Sequence, residues 1–257
     1  MWQEDRHRRI RSIVATLHSV TTDRIVDELG VSRETVRRDL IELEAQGALR
    51  RTHGGVVSLA PASASARGRG GAGRHERLIA RAAAARVQAG QTVFIDAGEM
   101  ALYLADALAA IEDLFVVTNA FTVALRLRAA AREGSARGPR VLVLGGDLSP
   151  HAEATQGDHT VAQIHRFRAD AALLCPVGLD ARHGASHDDL GAAEVARAMA
   201  GNARQVLLMA DDTRLGAAAR VSYWPAERIA AVFTNRRAQG QEGYDALAAA
   251  VGEIVIA

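Results

Sequence analysis

Lysine is absent from all 257 residues, so each of the 31 Lys and Arg positions is an arginine. Schiff-base catalysis, attachment of pyridoxal phosphate and the Gly-rich phosphate loop that ends in Lys all need an amine this chain does not carry. Cysteine occurs once, as Cys175 within the apolar run 171–177. That excludes an internal disulfide and a cysteine zinc framework, and makes a buried, inert thiol the expectation. No apolar run approaches a membrane-spanning length, and Met1-Trp2-Gln3-Glu4 shows no signal-peptide pattern, so a soluble, cytoplasmic protein with no membrane partner is expected. An excess of either charge is missing too. With 30 acidic residues the net charge is +1, and any contact with a polyanion has to come from local patterning.

Such patterning opens the chain. Ile10, Ile13, Val14 and Leu17 fall at i, i+3, i+4 and i+7, the spacing of one apolar helix stripe. Thr22 or Thr21 can cap a second helix that buries Ile25, Val26 and Leu29 and stops at Gly30, with Val31 packed in the angle that follows. Ser32 can then cap a third helix, with Val36, Leu40 and Leu43 inward and Gly47 at its end. That leaves Arg33, Glu34, Thr35, Arg37 and Arg38 for phosphates and base edges. Residues 49–57 read as two short strands around the Gly54-Gly55 turn, a wing carrying Arg50, Arg51, Thr52 and His53. Residues 1–57 hold ten Arg and nine acidic residues, so bulk charge does not point to nucleic acid. The placement of Arg on the first turns of a capped helix does.

Residues 60–73 are small, Gly-rich and free of large apolar side chains, the composition of a tether. The expected organisation is a DNA-binding domain over 1–58, a flexible linker over 59–74 and a second domain over 75–257. In the second domain, apolar runs at 92–95, 115–118, 141–144, 171–177, 205–210, 230–234 and 253–256 alternate with helical stretches at 102–110, 120–132, 160–166 and 192–203. This alternation predicts an α/β fold with a mostly parallel sheet and helices on both faces. Ligands in such folds sit beyond the carboxyl ends of the strands. There lie Asp96, Gly98, Glu99 and Met100, then Thr118 and Asn119, then Gly145 and Gly146; the glycines give a ligand close access to backbone. The histidines at 151, 159, 165, 183 and 187 show no metal-ligand spacing, so neither a metal nor a cofactor is expected. Asp180, Asp188, Asp189 and Glu194 include candidates for a general base.

The string VSRETVRRDLIELEAQGALRRTHGGVV resembles the DNA-binding signature of the DeoR family of bacterial sugar-metabolism repressors, without a gap across the winged helix. The resemblance implies an N-terminal winged helix-turn-helix and a C-terminal effector domain related to sugar-phosphate isomerases. Within 75–235, Asp96-Ala97-Gly98 resembles the start of that family's phosphate loop, Thr118-Asn119 its TN pair and Gly145-Gly146 its GG turn. Gly178-Leu179-Asp180, His183 to Ser186 and Ala193-Glu194-Val195 resemble the loop and helix that close over a sugar. Arg214 stands where the family usually has a Lys.

Two departures bear on the ligand. Where the family shows a Gly followed by Thr or Ser, this chain has Gly98-Glu99-Met100-Ala101; His187 and Asp188 stand where Thr and Pro are usual. Two like charges about 4 Å apart repel by on the order of 1 kcal/mol in water and by several in a drier pocket. Either Glu99 turns away from a phosphorylated sugar held by backbone and Arg214, or the ligand is an uncharged or cationic polyol. The expected protein is a homo-oligomeric, dimeric or tetrameric, repressor of carbohydrate or polyol genes. It binds double-stranded operator DNA and is released by a sugar, polyol or sugar-phosphate effector. The competing reading is a sugar-phosphate isomerase or deaminase with an appended DNA-binding domain.

Overall fold

The computed structural model describes residues 6, 7, 9, 10, 19–45, 49–52, 55–58, 73–131 and 138–257. The chain divides into two compact units, 1–68 and 69–257. The first contains β1 (Ser19–Thr21), α1 (Thr22–Leu29), α2 (Arg33–Ala45), β2 (Leu49–Thr52) and β3 (Gly55–Ser58). Thr21, not Thr22, caps α1, its hydroxyl accepting the Arg24 N–H at 3.4 Å. Gly30, at φ 63°, ends α1 in the left-handed region and donates to the Val26 carbonyl. Ser32 heads α2, its Oγ accepting the Thr35 N–H at 3.2 Å. Ile25, Leu29, Val36, Leu40 and Leu43 form one core with Ile10, Val20, Leu49 and Val56, and Val26 and Val31 pack against it half-buried. Ile13, Val14, Leu17 and Gly47 lie outside the described residues.

The wing differs from the two-strand expectation. It is an antiparallel sheet of three strands in the order β1-β3-β2. β1, three residues immediately before a helix cap, is too short to show alternation. Gly55 lies within β3 opposite Thr52, which leaves His53 and Gly54 as the connection, outside the described residues.

The second unit is built on a seven-stranded sheet in the order β15-β14-β12-β9-β4-β5-β6, every neighbouring pair parallel. Its strands are β4 (Thr92–Ile95), β5 (Phe115–Thr118), β6 (Arg140–Val143), β9 (Ala169–Leu174), β12 (Ala203–Met209), β14 (Ala231–Thr234) and β15 (Ile254–Ile256). The helices are α3 (Arg74–Ala84), α4 (Glu99–Leu108), α5 (Phe121–Ala131), α6 (Asp158–Ile164), α7 (Leu190–Gly201) and α8 (Tyr244–Ala250). A hairpin of β10 (Gly178–Asp180) and β11 (Gly184–His187) pairs with β13 (Val221–Trp224) as a separate antiparallel sheet, and β7 (Asp147–Leu148) pairs with β8 (Thr155–Gln156).

Successive strand residues enter opposite cores. Phe94, Leu174, Leu208 and Val232 belong to one; Val93, Ile95, Leu173, Leu207 and Phe233 belong to the other. A sheet covered on both faces needs apolar side chains on both, so its strands read as unbroken apolar runs.

Several boundaries shift from expectation. β9 ends at Leu174 rather than 177, ahead of Pro176, which has no N–H to continue a ladder. α4 begins at Glu99, three residues before 102, and α7 begins at Leu190, two before 192. α3 was not expected, and it takes Arg74, the last residue assigned to the tether; its inward face is Ile79, Ala80, Ala83 and Ala84, and Gly73 before it offers no side-chain cap to mark its start. Among the described residues no helix is long and apolar enough to cross a membrane.

Candidate functional site

In the first unit, α2 turns Val36, Asp39, Leu40 and Leu43 inward and exposes Arg33, Glu34, Arg37 and Arg38. Asp39 is 2% exposed. It accepts from Arg6 Nε and Nη2 at 2.7 and 2.9 Å and lies 3.1 Å from His7 Nε2. This tie fixes the helical residues near position 6 to the back of α2. Sequence reasoning passed over Asp39, although its register with Val36, Leu40 and Leu43 on one helical face was the available signal.

On the outer face Glu34 and Thr35 are engaged, contrary to expectation. Glu34 accepts from Arg37 Nε and Nη2, both at 2.8 Å, and from Arg38 Nε at 3.4 Å. The Arg37 hydrogen bonds hold its carboxyl down at about 2. The Thr35 hydroxyl lies 2.8 Å from Ser32 Oγ. Arg38, 75% exposed at its side chain and with only the longer contact to Glu34, is the most available cation of the two. Three arginines against one paired carboxylate leave the face net positive. Thr22 is half-buried at the start of α1. Of Arg50, Arg51 and Thr52 only the backbone in β2 is described, and His53 falls outside.

In the second unit the carboxyl ends of β4 and β9 meet. Asp96 is buried after β4, and both its oxygens accept the Cys175 N–H, at 3.1 and 2.9 Å. Burial pushes its carboxyl up from 3.8 to about 7, against the pull of that backbone donor. Burial, then Asp96, raise the Cys175 thiol well above its usual range, while Arg214 works the other way. The Tyr223 hydroxyl on β13 is buried with no hydrogen-bond partner among the described residues, and burial, Asp96 and Cys175 all raise it. Arg214 donates to the Val177 carbonyl at 3.3 Å. His187, at the end of β11, is held below its usual range by burial, with Arg214 adding to the effect. Its Nδ1 accepts the Asp189 N–H at 3.0 Å, so in the neutral ring the hydrogen sits on Nε2. Asp96, Cys175 and Tyr223 thus act on one another at the ends of β4 and β9, and Arg214 acts on Cys175 and His187 beside them.

The remaining predicted residues distribute differently. Gly98, Glu99 and Met100 lead into α4, with Glu99 exposed and Met100 half-buried. A Cβ at Gly98 would stand 3.2 Å from Cys175 Cβ, so this glycine permits close strand packing. The same holds for Gly146: at φ 153° its missing Cβ would lie 2.0 Å from Thr160 Oγ1. Gly145 donates to Gln163 Oε1 and its carbonyl accepts from Thr160 and Gln163. The GG turn thus packs against Thr160 and Gln163 on one side, while Gly145 and Gly146 are exposed on the other. Thr118 Oγ1 accepts the Ala120 N–H. Asn119 donates to the Thr155 carbonyl at 2.7 Å, leaving its buried Oδ1 without a partner among the described residues. Asp180 accepts from Arg182 N–H, His183 N–H and the His183 ring. Burial raises its carboxyl, but these donors outweigh burial and the net shift is downward. Asp188 is exposed, Asp189 caps α7, and Glu194 lies 3.3 Å from Arg197. Tyr223 and Cys175 were missed as cluster members because nothing in their spacing relates them to Asp96; only the strand order does.

A family model described as the DeoR C terminal sensor domain matches residues 73–236, and one for the DeoR-like helix-turn-helix domain matches residues 6–62. The glycerol-3-phosphate regulon repressor of Escherichia coli (strain K12) is 32% identical over 91% of this chain and 92% of its own. The HTH-type transcriptional repressor GlcR of Bacillus subtilis (strain 168) is 31% identical over 92% of this chain and 90% of its own. The HTH-type transcriptional regulator IolR of the same organism is 24% identical over 85% of each. Among solved structures, ribose 5 phosphate isomerase A from Neisseria gonorrhoeae covers 57% of this chain and 54% of its own at 13% identity and a TM-score of 0.41.

Proposed function

The chain belongs to the DeoR family of transcriptional regulators, and from that premise we propose a homo-oligomeric repressor that reads operator DNA through α2 and is released by a sugar phosphate bound at the Asp96–Arg214 cluster. The observation that carries the DNA-binding half is the capped α2, with Arg33, Arg37 and Arg38 outward and its inner face clamped by Asp39. Two such helices on paired half-sites, about one DNA turn or a multiple apart, supply the register. Arg38 and Arg33 reach bases or phosphates, Arg37 follows once phosphate competes with Glu34, and the β2–β3 wing adds backbone contacts.

For the ligand, three features favour a phosphorylated sugar over an uncharged polyol. Glu99 is exposed at the first turn of α4. Asp96 carries a proton up to a pH of about 7 and so adds no fixed negative charge below it. Arg214 provides the cation. The ligand leaves unchanged, because Asp180 is engaged in its own turn, Glu194 pairs with Arg197, and the chain has no lysine. Release requires the ligand to bind the DNA-free state more tightly than the DNA-bound state. The test uses full-length protein on an operator fragment, titrated with matched sugars and sugar phosphates while the ligand is assayed chemically. Loss of DNA binding with the phosphate alone, and intact ligand, is expected. Release by the unphosphorylated partner refutes the ligand class, and conversion of the ligand refutes sensing without turnover.

A further inference from the structure

The seven-stranded sheet ends at β6, and the face of that edge beside α5 is apolar. Phe121, Ala124, Leu125 and Arg128 of α5 with Val141 and Val143 of β6 line a groove of about 510 Å³. Leu125 is 59% exposed and Val143 40%. Arg140 and Leu144 donate to the Leu114 and Thr118 carbonyls on the β5 side. The alternation of a strand therefore turns the N–H and C=O groups of Val141 and Val143 away from the sheet. The charge of β6 stands at its first residue, Arg140, behind Pro139, and Val141-Leu142-Val143 after it carry neither of these usual guards of an open edge.

We propose that a second copy of this chain fills this groove. β6 pairs antiparallel with its counterpart about a twofold axis at Leu142, and the two α5 helices lie side by side. This rests on the homo-oligomer reading above and adds the face. The occupant follows from self-complementarity, which a twofold contact demands. Val141 and Val143 are symmetric about Leu142, so the outward peptide groups of each meet those of the other residue in the second copy. On α5, Phe121 is four residues before Leu125 and Arg128 three after. Antiparallel helices then set Leu125 against its own copy and the Phe121 ring against the second copy's Arg128 guanidinium, a cation–π pair in place of two facing cations. Among the described residues no carboxylate lines the groove, so a basic partner finds no counter-charge from them.

The experiment is sedimentation of the full chain, wild type beside Leu125→Glu and Val143→Glu, with circular dichroism melts as the folding control. Wild type is expected to sediment as a dimer or a larger even oligomer. Each variant is expected to fall to half that mass and to keep a cooperative melt, lowered only by the stabilisation that association supplies, since both side chains are exposed in the single chain. Leu125→Cys in a Cys175→Ala background is expected to cross-link to a covalent dimer with a short bis-maleimide. An oligomer unmoved by both glutamates, with no cross-link, overturns this face and leaves the homo-oligomer reading standing. A monomeric wild type, as when the chain's own first unit fills the groove, overturns both.

Discussion

Replacing Asp96 by Asn should make the sensor unit more stable at neutral pH, with a magnitude set by the burial of one carboxyl. Asp96 faces Cys175 and Tyr223, and its proton is retained up to about pH 7 against 3.8 in its ordinary state. Between those values the unfolded chain has lost the proton and the folded one still holds it. Stability from this group is therefore complete below about pH 4 and is lost as pH rises toward and through 7. A shift of about three units corresponds to about 4 kcal/mol at pH 8. Asn keeps the shape, its oxygen still accepts the Cys175 N–H, and it has nothing to ionise. The Asn variant should equal or slightly exceed wild type near pH 4.5 and exceed it by about 3–4 kcal/mol at pH 8. Urea melts between those limits measure this, followed by Trp224 emission in a Trp2→Phe background, because Trp224 is buried within the second unit. Parallel pH profiles for the two proteins would refute the reasoning, since they would mean that Asp96 is already ionised and satisfied in the fold.

Arg38→Ala should weaken operator binding by about tenfold or more and lower the salt slope, with the melting temperature unchanged; equal affinity in a salt-matched titration would rule out α2 as the reader. Glu34→Gln, which frees Arg37 and removes a negative charge from the DNA face, should raise affinity and steepen the salt dependence in the same assay. Gly146→Ala should destabilise the second unit by roughly 2 kcal/mol or more because its Cβ meets Thr160 and the Gln156 carbonyl. Gly201→Ala, with nothing within 4 Å, is the control and should be neutral or mildly stabilising in denaturant melts. Glu99→Ser should leave binding of a sugar phosphate unchanged by calorimetry, because Glu99 is exposed; a severalfold tightening confined to the phosphate would place its carboxylate against the ligand.

What could be read from the chain alone was whatever short-range physics writes into neighbouring residues. The caps at Thr21 and Ser32, the left-handed stop at Gly30 and the inward stripe Val36, Leu40, Leu43 are all local, and the structure reproduces them apart from the one-residue choice of Thr21 over Thr22. The central strands were legible because both faces are buried and the apolar runs are unbroken. β1 and the β10-β11-β13 sheet were not, being too short to show alternation, nor was α3, which follows the Gly-rich run without a side-chain cap.

The sites divide the same way. That Arg33, Arg37 and Arg38 sit on the exposed face follows from helical period. That Glu34 clamps Arg37, that Asp39 anchors Arg6, and that Gly146 makes room for Thr160 depend on distances the sequence does not contain. The protonation of Asp96 is the clearest case. Its neighbours Cys175 and Tyr223 are far along the chain, and they are brought together by the β4–β9 pairing and by the antiparallel sheet beyond it. Residue type and spacing decide which helices and strands form, because those energies act over a few residues. The field at a buried carboxyl depends on what the folded chain places around it, and only the tertiary structure decides that.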